Sequence, residues 1–567
     1  MNRTGEENEA VALPFTRLPF SRYGSWFALS LGRDHSPLIR ELHGGDYAAP
    51  YLFRLRFAGH EPEDLIYTME AEELTVGSRT AADCRLGVVC GARNDLYIRC
   101  VGFRVSLEAQ PARYNSLVPL DTGDYEYQCY ATNRKIGLRG RGAVEFRSRW
   151  DVRESRDVAV VLDGGAEPAE LALRSYRVTP EQEFSSYEAE KAGAGNCFAQ
   201  WIAPFGGDEG GVYRKTAQYV LWGNFVRRDG VLGYDALYMN KGSMTNIWSW
   251  DNCFSAIALA RTHPQSALEQ LLIILDHQDE SGALPDYAND LFASYSCVKP
   301  PIYGWTIQKL RERNDFFRER ELTARMYEKI SRLTRFWLER RLIRDWGLCG
   351  YWHGNDSGWD NASVFHRGTP LCAPDLAAYL IRQMDALAEL AGELGRTEEE
   401  ARWKARAEEM FTALMRRLHT PDGFVSRLTR TGEADGNALC LINQLPLLIH
   451  YRMDRAVVDA LVKRLEEFEG NYGLFTERRD SPHYRKGGYW LGPVWAPVTL
   501  LFVDALYTAG YTGAAARLAA KFRRLPSAGL MAENFDPDTG EGFDDNAFAW
   551  TAGVYFVLEE YEKSGTG

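Results

Sequence analysis

Acidic side chains stand next to tryptophan or amide side chains in three segments of the 567-residue chain. The segments read W-S-W-D-N at 248–252, G-N-D-S-G-W-D-N at 354–361 and A-E-N-F-D at 532–536. Aromatic rings can cover the apolar C–H faces of a sugar, and carboxylates and amides can bond its hydroxyl groups. This combination of residue types predicts a carbohydrate site.

Asp360 and Glu533 are the carboxylic acids that such a site would use for hydrolysis. One carboxyl group protonates the leaving oxygen, while a second activates water or attacks the anomeric carbon. Asp360 comes shortly after Gly358 and directly after Trp359, whose indole would desolvate the acid and raise its pKa. Glu533 precedes a turn at 536–540. A helix N-cap for Asp360 and a solvated loop position for Glu533 are equally compatible with the sequence.

Thirteen of the 15 tryptophans lie after residue 200. Trp337 and Trp403 continue helical patterns, so we expect them in the hydrophobic core. Polar loops hold four others, for which contact with a ligand is favoured: Trp250, Trp305, Trp359 and Trp490.

The first 180 residues show short apolar–polar alternation with Gly, Asp and Asn between the segments. The segments lie at 51–57, 103–107, 143–150 and 158–162. In the third, Val144, Phe146 and Trp150 share one side. Alternation of this kind predicts an antiparallel β-sandwich over residues 1–180, followed by a linker at 181–212.

From about residue 213 to 567 the apolar residues recur every three or four positions. We predict about twelve helices, among them 216–228, 252–261, 303–312, 321–342, 375–394, 438–450 and 546–562. Gly395 is placed to end one helix, and Thr397 with Glu400 predicts a capping box for the next. Helices without intervening strands fit either a closed ring of helix pairs or a solenoid, although no short repeat supports a solenoid.

Composition restricts the partners. The chain has 66 Lys plus Arg and 78 Asp plus Glu, a formal charge of −12, which disfavours nucleic acid. No apolar run approaches the ~18 residues of a membrane span, and no secretory signal is present. Ten cysteines without a C-x-x-C pair predict reduced thiols in a cytoplasmic protein. No motif calls for a metal or cofactor, since 536–547 lacks the EF-hand glycine and glutamate.

Several motifs, in this order along the chain, resemble one family of enzymes. They are W-S-W-D-N (248–252), G-A-L-P-D (282–286), K-P-P-I-Y-G-W (299–305), D-S-G-W-D-N (356–361), G-Y-W-L-G-P-V-W (488–495), E-N-F-D-P-D-T-G-E-G (533–542) and F-A-W-T (548–551). They are similar to the (α/α)6-barrel glycosidases of glycoside hydrolase family 63, related to processing α-glucosidase I. Trehalases and bacterial mannosylglycerate and glucosylglycerate hydrolases are similar too. Many relatives place a β-sandwich before the barrel.

The resemblance implies an inverting exo-α-glycosidase with Asp360 as general acid and Glu533 as general base. It further implies a set of residues that contact the sugar or line the pocket: Trp250, Asp251, Trp305, Gly358, Trp359, Tyr489, Trp490, Trp495 and Trp550. Relatives often have Glu where this chain has Asp356 and Tyr where it has Phe535, which bears on the substrate rather than the reaction.

Several functions remain open at this point. An α-glucosidase acting on short oligosaccharides or glucosides is favoured. A glucosylglycerate or mannosylglycerate hydrolase would need a cation for the substrate carboxylate, and the motif loops offer Lys299, Arg367 and Arg485. A barrel that only binds carbohydrate is the alternative outside enzymes, and an epimerase is disfavoured because no histidine pair stands out. The sequence does not predict the oligomeric state.

Overall fold

The computed structural model describes residues 13–47, 51–130, 132–179, 183–206, 211–434, 439–525 and 530–564. The backbone divides into two compact units, Met1–Arg227 with Asn240–Thr245 and Arg228–Met239 with Asn246–Gly567. The sequence predicts divisions at 180 and 212, whereas the first unit continues to Arg227. A helix, α1, spans Tyr187–Ile202 within the stretch expected to be a linker. Residues 180–182 and 207–210 lie outside the described part.

Two antiparallel sheets make up most of the first unit, as the alternation predicts. The strands are β1 Phe27–Leu31, β2 Pro37–Glu41, β3 Phe53–Phe57, β4 Leu65–Met69, β5 Leu74–Ser78, β6 Arg85–Cys90, β7 Asp95–Val101, β8 Arg104–Ala109, β9 Ser116–Pro119, β10 Tyr125–Cys129, β11 Arg134–Arg141, β12 Val144–Asp151, β13 Glu154–Asp163 and β14 Ala169–Tyr176. One sheet has the order β1-β2-β3-β8-β13-β12 and the other β4-β5-β6-β7-β14-β11-β10-β9.

Strand β12 departs from the predicted alternation. Its pairing with β13 shifts between Arg147 and Arg149, which is the sign of a β-bulge. The register leaves one extra residue on β13 at this point, and Trp150, which lies beyond it on β12, is 62% exposed. Trp150 therefore faces solvent and does not extend the partly buried row of Val144 and Phe146.

Lys241 holds the short segment Asn240–Thr245 in the first unit. Its side chain is fully buried, and Nζ donates to the carbonyl oxygens of Phe225 at 2.6 Å, Ser25 at 2.7 Å and Arg22 at 3.1 Å. Burial lowers the pKa of Lys241 well below its ordinary value. The segment is thus held by hydrogen bonds to backbone carbonyls of the same unit.

A ring of helices forms the second unit. The helices from α2 onward are α2 Gly211–Gly223 (in the first unit), α3 Asp251–Leu259, α4 Pro264–Leu275, α5 Tyr303–Arg313, α6 Arg320–Arg340, α7 Pro374–Glu393, α8 Thr397–Arg417, a 3₁₀ helix Leu441–Arg452, α9 Arg455–Leu465, α10 Ala496–Thr508, α11 Thr512–Arg523 and α12 Ala549–Ser564. Going round the ring, α3, α5, α7, the 3₁₀ helix, α10 and α12 each pack against the next, and α12 packs against α3. The second unit is therefore a closed ring rather than a solenoid.

The remaining helices of the second unit, α4, α6, α8, α9 and α11, each pack against one or two members of the ring. This is the (α/α)6 arrangement expected from the resemblance. Among the described helices, none combines the length and the apolar composition needed to cross a bilayer.

Local signals in the helical part are partly confirmed. Helix α7 ends at Glu393, and Gly395 follows with a φ of 77°, as predicted for a residue just past a helix end. The predicted capping box is wrong, because Thr397 is the first residue of α8 and the N-cap residue Arg396 makes no side-chain cap. Where a helix is predicted at 438–450, a 3₁₀ helix spans Leu441–Arg452 and contains Pro446, which has no N–H to donate; residue 438 lies outside the described part.

Within the long loops, two-residue strands pair with one another in small sheets. They are Phe225–Val226, Ala236–Leu237, Ile247–Trp248, Tyr287–Ala288, Ala293–Ser294, Leu342–Ile343, Leu348–Cys349, Leu371–Cys372, His419–Thr420, Gly423–Phe424, Arg427–Leu428, Val494–Trp495, Asn534–Phe535 and Gly542–Phe543. The strand Asn534–Phe535 pairs with both Val494–Trp495 and Gly542–Phe543. This small sheet fixes the backbone directly after Glu533.

Candidate active site

Asp360 follows a tight turn whose shape depends on a glycine. A 3₁₀ helix spans Gly354–Ser357 and ends at Gly358, which has a left-handed φ of 72°. A Cβ atom at Gly358 would lie 2.6 Å from the indole of Trp250, closer than two carbon atoms can approach. Both the backbone conformation and the contact require glycine at this position. Gly358 thus allows the backbone of the Asp360 loop to pack directly against the indole of Trp250.

Asp356 fixes the same turn from inside. Its Oδ2 accepts hydrogen bonds from the backbone N–H of Trp352 at 2.9 Å and from Nη1 of Arg341 at 2.9 Å. Its Oδ1 accepts a bond from the backbone N–H of Val298 at 3.2 Å. The side chain is 2% exposed, so the carboxylate holds the turn to neighbouring segments rather than facing solvent.

Lys299 lies between two carboxylates of the site. Its Nζ is 3.7 Å from Oδ1 of Asp360 and 3.4 Å from Oδ1 of Asp286, and it donates to the carbonyl of Asn355 at 2.9 Å. Burial disfavours the ammonium form, but the charges of Asp360, Asp286 and Asp251 raise the pKa of Lys299 above its ordinary value. Lys299 therefore stays charged and offsets part of the negative charge.

The Asp360 carboxyl group reaches open space while its neighbours do not. Its side chain is 31% exposed, against 7% for Lys299 and 8% for Asp286. Among the described residues, Oδ1 of Asp360 has no hydrogen-bond partner. An acid that is held on one side and accessible on the other can exchange a proton with a ligand.

Asp251 is the first residue of helix α3 and is 5% exposed. Burial raises the pKa of Asp251 to about 7, with Lys299 opposing the rise and the charges of Asp286 and Asp360 adding to it. Its Oδ2 has no hydrogen-bond partner in the described part of the chain. A buried carboxyl oxygen without a partner suits a hydroxyl group of a ligand.

Glu533 is also buried, at 5% exposure, and sits among acids. Burial raises the pKa of Glu533 to about 8, and the charges of Asp544, Asp545 and Asp251 act in the same direction. A hydrogen bond of 3.1 Å from the phenol of Tyr489 to Oε1 stabilises the ionised form and opposes this rise. The carboxyl group is thus poised to hold or release a proton near neutral pH.

Tyr489 connects the carboxylates that the sequence places far apart. Burial raises the pKa of Tyr489, and the negative charges of Glu533, Asp360 and Asp251 raise it further. Asp360 and Glu533 are 173 positions apart, and both act on the same phenol. The closed ring brings their loops together as expected.

Asn361 ties the Asp360 loop to the Tyr489 loop through its side-chain amide. Its Nδ2 donates to the carbonyl of Gly488 at 3.0 Å, and its Oδ1 accepts from the backbone N–H of Trp490 at 2.9 Å. Sequence reasoning did not assign a role to Asn361, Asp286 or Asp544. The only signal was their position inside the quoted motifs or beside one of them.

The predicted aromatic residues pack mainly on one another. Trp490 stacks on Trp495 at 3.8 Å and on Trp359 at 4.9 Å, measured between ring centroids. Trp550 meets Trp250 edge-on at 5.8 Å and Trp495 at 5.7 Å. All five indoles are less than 5% exposed, so they form the body of the site rather than open platforms for a sugar.

Trp305 does not join this group. It is 2% exposed, and its Nε1 donates to Oδ2 of Asp504 at 2.7 Å. The other oxygen of Asp504 accepts from Lys309 at 2.8 Å and from Tyr561 at 2.9 Å. Trp305 therefore links ring helices α5, α10 and α12, and its contact with a ligand stays a prediction.

Of the three cations considered for a substrate carboxylate, only Lys299 lies against the acids of the site. Arg367 pairs with Glu433 at 2.9 Å and is half exposed. Arg485 donates to the carbonyls of Pro482 at 3.0 Å and Tyr484 at 2.7 Å. These two arginines are therefore bonded to protein groups outside the cluster of acids.

Comparison with known proteins identifies the family. Residues 244–551 match the mannosylglycerate hydrolase MGH1-like glycoside hydrolase domain, and this match covers just over half of the chain. The chain belongs to this family. It is therefore a glycoside hydrolase, as the resemblance to family 63 implies, and every residue of the site described above lies inside the matched segment.

Relatives of the family differ in how much of the chain they cover. A mannosylglycerate hydrolase of Rubrobacter radiotolerans is 24% identical over an alignment 414 positions long that covers 55% of this chain and 90% of that protein. A match of 30% identity over 128 residues covers 22% of this chain but only 11% of an uncharacterized protein of Saccharomyces cerevisiae.

Solved structures support the fold. The family 63 mannosylglycerate hydrolase of Thermus thermophilus, solved with glucose, aligns with a TM-score of 0.54 at 21% identity, over 61% of this chain and 99% of that one. A bacterial glucoamylase solved with acarbose aligns with a TM-score of 0.67 at 12% identity, over 100% of this chain and 96% of that one.

Replacing Gly358 by alanine tests the close approach to Trp250. We expect Gly358→Ala to lower the free energy of unfolding by about 2–4 kcal/mol, because it combines left-handed strain with a steric clash. Urea unfolding followed by tryptophan fluorescence measures the change. Gly432 has a similar φ of 73° and nothing within 4 Å of its Cβ position, so Gly432→Ala reports the strain alone. Equal losses in the two variants would contradict the clash.

Proposed function

We propose that this glycoside hydrolase is an inverting, exo-acting α-glycosidase, with a terminal α-glucosyl unit of short oligosaccharides or glucosides as its substrate. Asp360 is the general acid and Glu533 the general base. The observation that supports these roles most directly is the shared influence of both carboxyl groups on Tyr489, whose phenol bonds Glu533. In an inverting enzyme the two groups stand ~6.5–9.5 Å apart, which leaves room for a water molecule.

The reaction transfers two protons in one displacement. Asp360 donates its proton to the glycosidic oxygen as the bond from that oxygen to the anomeric carbon breaks. Glu533 accepts a proton from a water molecule as the water oxygen bonds to the opposite face of the same carbon. The products are the free alcohol and a sugar of inverted anomeric configuration, after which Asp360 is ionised and Glu533 protonated. Proton exchange with solvent restores both groups.

Other groups of the site bind and stabilise. Oδ2 of Asp251 accepts a hydroxyl hydrogen of the terminal sugar, a bond that strengthens as positive charge develops on the ring. The Nε1 atoms of Trp359 and Trp490 lack hydrogen-bond partners among the described residues and are donors for a hydroxyl group or an ordered water. Lys299 offsets the negative charge that Asp360 gains when it loses its proton.

The charge of the site favours a neutral leaving group. Glu533, Asp251 and Asp360 each add a negative charge whenever they are ionised, and Lys299 is already engaged by Asp286 and by a backbone carbonyl. A carboxylate on the leaving group would be repelled by the acids. We therefore place oligosaccharides and neutral glucosides before anionic glycosides.

A mannosylglycerate or glucosylglycerate hydrolase is the second candidate. It is supported by the family and by the Rubrobacter relative, which carries the name mannosylglycerate hydrolase. One solved structure of the Thermus enzyme contains Tris and D-glycerate. The substitutions at Asp356 and Phe535 do not decide between the candidates, because Asp356 holds its turn and Phe535 packs edge-on against Phe522.

We also infer a reducing, cytoplasmic environment. All ten cysteines are thiols in the structure, and seven of them are buried. Burial raises the pKa of such thiols, for example to about 12 for Cys372, which keeps them unreactive. Labelling of thiols without prior reduction, in protein purified from its own cells, would check this location.

A substrate panel tests the proposed class. We expect kcat/KM for maltose, maltotriose and neutral alkyl α-glucosides to exceed that for mannosylglycerate and glucosylglycerate. Proton NMR at early times identifies the anomer released, and inversion of an α-glycoside gives the β-sugar first. Preference for the two glycerates would favour the second candidate. Early release of the α-sugar would contradict inversion for either one.

The dependence of kcat/KM on the leaving group distinguishes the role of Asp360 as acid from that of Glu533 as base. Asp360→Asn should lower kcat/KM for an alkyl glucoside by about 10²–10⁴, yet have little effect on a 2,4-dinitrophenyl glucoside, whose leaving group needs no proton. Glu533→Gln should impair both substrates, because each requires activated water. Asp538→Asn, a change at an exposed carboxylate paired with Arg479, is the matched control. The opposite pattern would reverse the two roles.

The dependence of kcat/KM on pH tests whether the pKa of Glu533 is raised. Since its pKa is about 8, Glu533 is largely protonated at neutral pH, and kcat/KM should rise as the pH increases toward 8. Asp544→Asn removes a nearby negative charge and keeps an acceptor for the Asn534 amide, which donates to Asp544 at 2.7 Å. We expect the acidic limb to move to lower pH. An unchanged limb would show that Asp544 does not tune the base.

A further inference from the structure

A groove on the solvent-facing side of the six-stranded sheet lies within the first unit and has no part in the reaction proposed above. Its volume is about 780 Å³, within the ~300–1,000 Å³ range of small-molecule sites. The lining comes from β3, β8, β13, the chain after β8, and Tyr127. It includes Tyr51, Arg54, Arg56, Glu108, Arg113 and Arg156.

The floor of the groove is a row of side chains across three strands. Arg54 of β3 pairs in register with Glu108 of β8, which pairs with Ala159 of β13. These side chains point away from the core, since Leu55 and Leu107 on the alternate positions are buried. The small Ala159 leaves the row open at one end.

The chain between β8 and β9 forms one wall of the groove, and hydrogen bonds hold it in place. The Gln110 side chain accepts from the backbone N–H of Tyr51 at 3.2 Å. The carbonyl of Asn115 accepts from the backbone N–H of Ser155 at 2.8 Å. Contacts at both ends fix this wall before any ligand arrives, which reduces the entropy cost of binding.

Donors and acceptors alternate along the groove. Arg56 lies 3.8 Å from Glu108, and Arg156 lies 2.9 Å from Glu154, so the charges largely cancel in pairs. These side chains are partly exposed, which leaves donor and acceptor atoms available at the surface. Paired guanidinium and carboxylate groups suit a ligand whose hydroxyl groups both donate and accept. Arg54, Arg56 and Arg156 each pair with a carboxylate, which leaves Arg113 as the one lining arginine without an ion pair among the described residues. A polyanion needs several unpaired cations.

A tyrosine ring lines the same groove. Tyr51 is part of the lining, with the Arg54 guanidinium 5.1 Å from its ring centroid. A hydrogen bond of 3.2 Å from the backbone N–H of Tyr114 to the lining residue Glu154 holds the wall further, while the Tyr114 ring packs edge-on against Tyr130. A tyrosine ring beside polar groups provides a surface for the C–H face of a sugar.

We propose that this groove is an accessory binding site for a neutral oligosaccharide chain, separate from the active site. Tyr51 contacts a sugar ring, and the paired arginines and glutamates bond hydroxyl groups. This role does not depend on which glycoside the enzyme cleaves. An ordinary solvent-facing sheet also carries cross-strand ion pairs, but it lacks a fixed wall and an enclosed volume of this size.

Calorimetric titration of the full chain tests this proposal, with maltohexaose, mannohexaose and cellohexaose as the probes. All proteins carry Asp360→Asn, so that binding at the active site is common to every comparison. We expect at least one probe to bind, and the variant Tyr51→Ala to weaken that binding about fivefold or more. Glu108→Gln, at an exposed side chain, is a second variant expected to weaken it. Tyr507→Ala, at a tyrosine 39% exposed in the second unit, is the control expected to change nothing.

Three results would overturn the proposal. The first is that none of the three oligosaccharides binds. The second is that binding is the same in the groove variants as in the control. The third is that heparin hexasaccharide binds instead, with an affinity that falls as sodium chloride increases, which would identify an anion site. Thermal unfolding of each variant verifies that it is folded at the temperature of the titration.

Discussion

Several carboxyl groups buried near one another, with a single ammonium group among them, are the constraint on which this site depends. Like charges repel strongly where water is excluded, so such a group is stable only if some acids keep their protons or a cation compensates. Both solutions are present, since the pKa values of Asp251 and Glu533 are raised and Lys299 remains charged. This arrangement gives the site carboxyl groups that exchange a proton near neutral pH.

The backbone maintains that arrangement through contacts between loops rather than within them. Asp356 holds the turn before Asp360 to the chain at Val298, and Asn361 joins the same loop to the residues around Tyr489. The small sheet after Glu533 fixes the third segment to Val494–Trp495. Each of these loops is therefore positioned by another loop, and the closed ring of helices sets where the loops begin.

Elements that follow from local patterns were predictable from the sequence. The period of two in the first unit and the period of three to four in the second follow from which face each element buries. Features that depend on distant contacts were not. The bulge between β12 and β13 depends on the pairing of the two strands, and Trp305 faces Asp504 because two ring helices meet there. The motifs contain Lys299, but its place beside Asp360 exists only in the folded chain.

The stacked indoles have an optical consequence. Trp490 and Trp495 lie nearly parallel, with an angle of 6° between planes whose centroids are 3.8 Å apart, and Trp359 stacks on Trp490 as well. Chromophores at this spacing share their electronic excitations, which splits the circular dichroism of the indole bands. These rings belong to the loops that carry Asp360 and Tyr489. The circular dichroism of the indole bands therefore measures, without an added label, whether those loops are packed together.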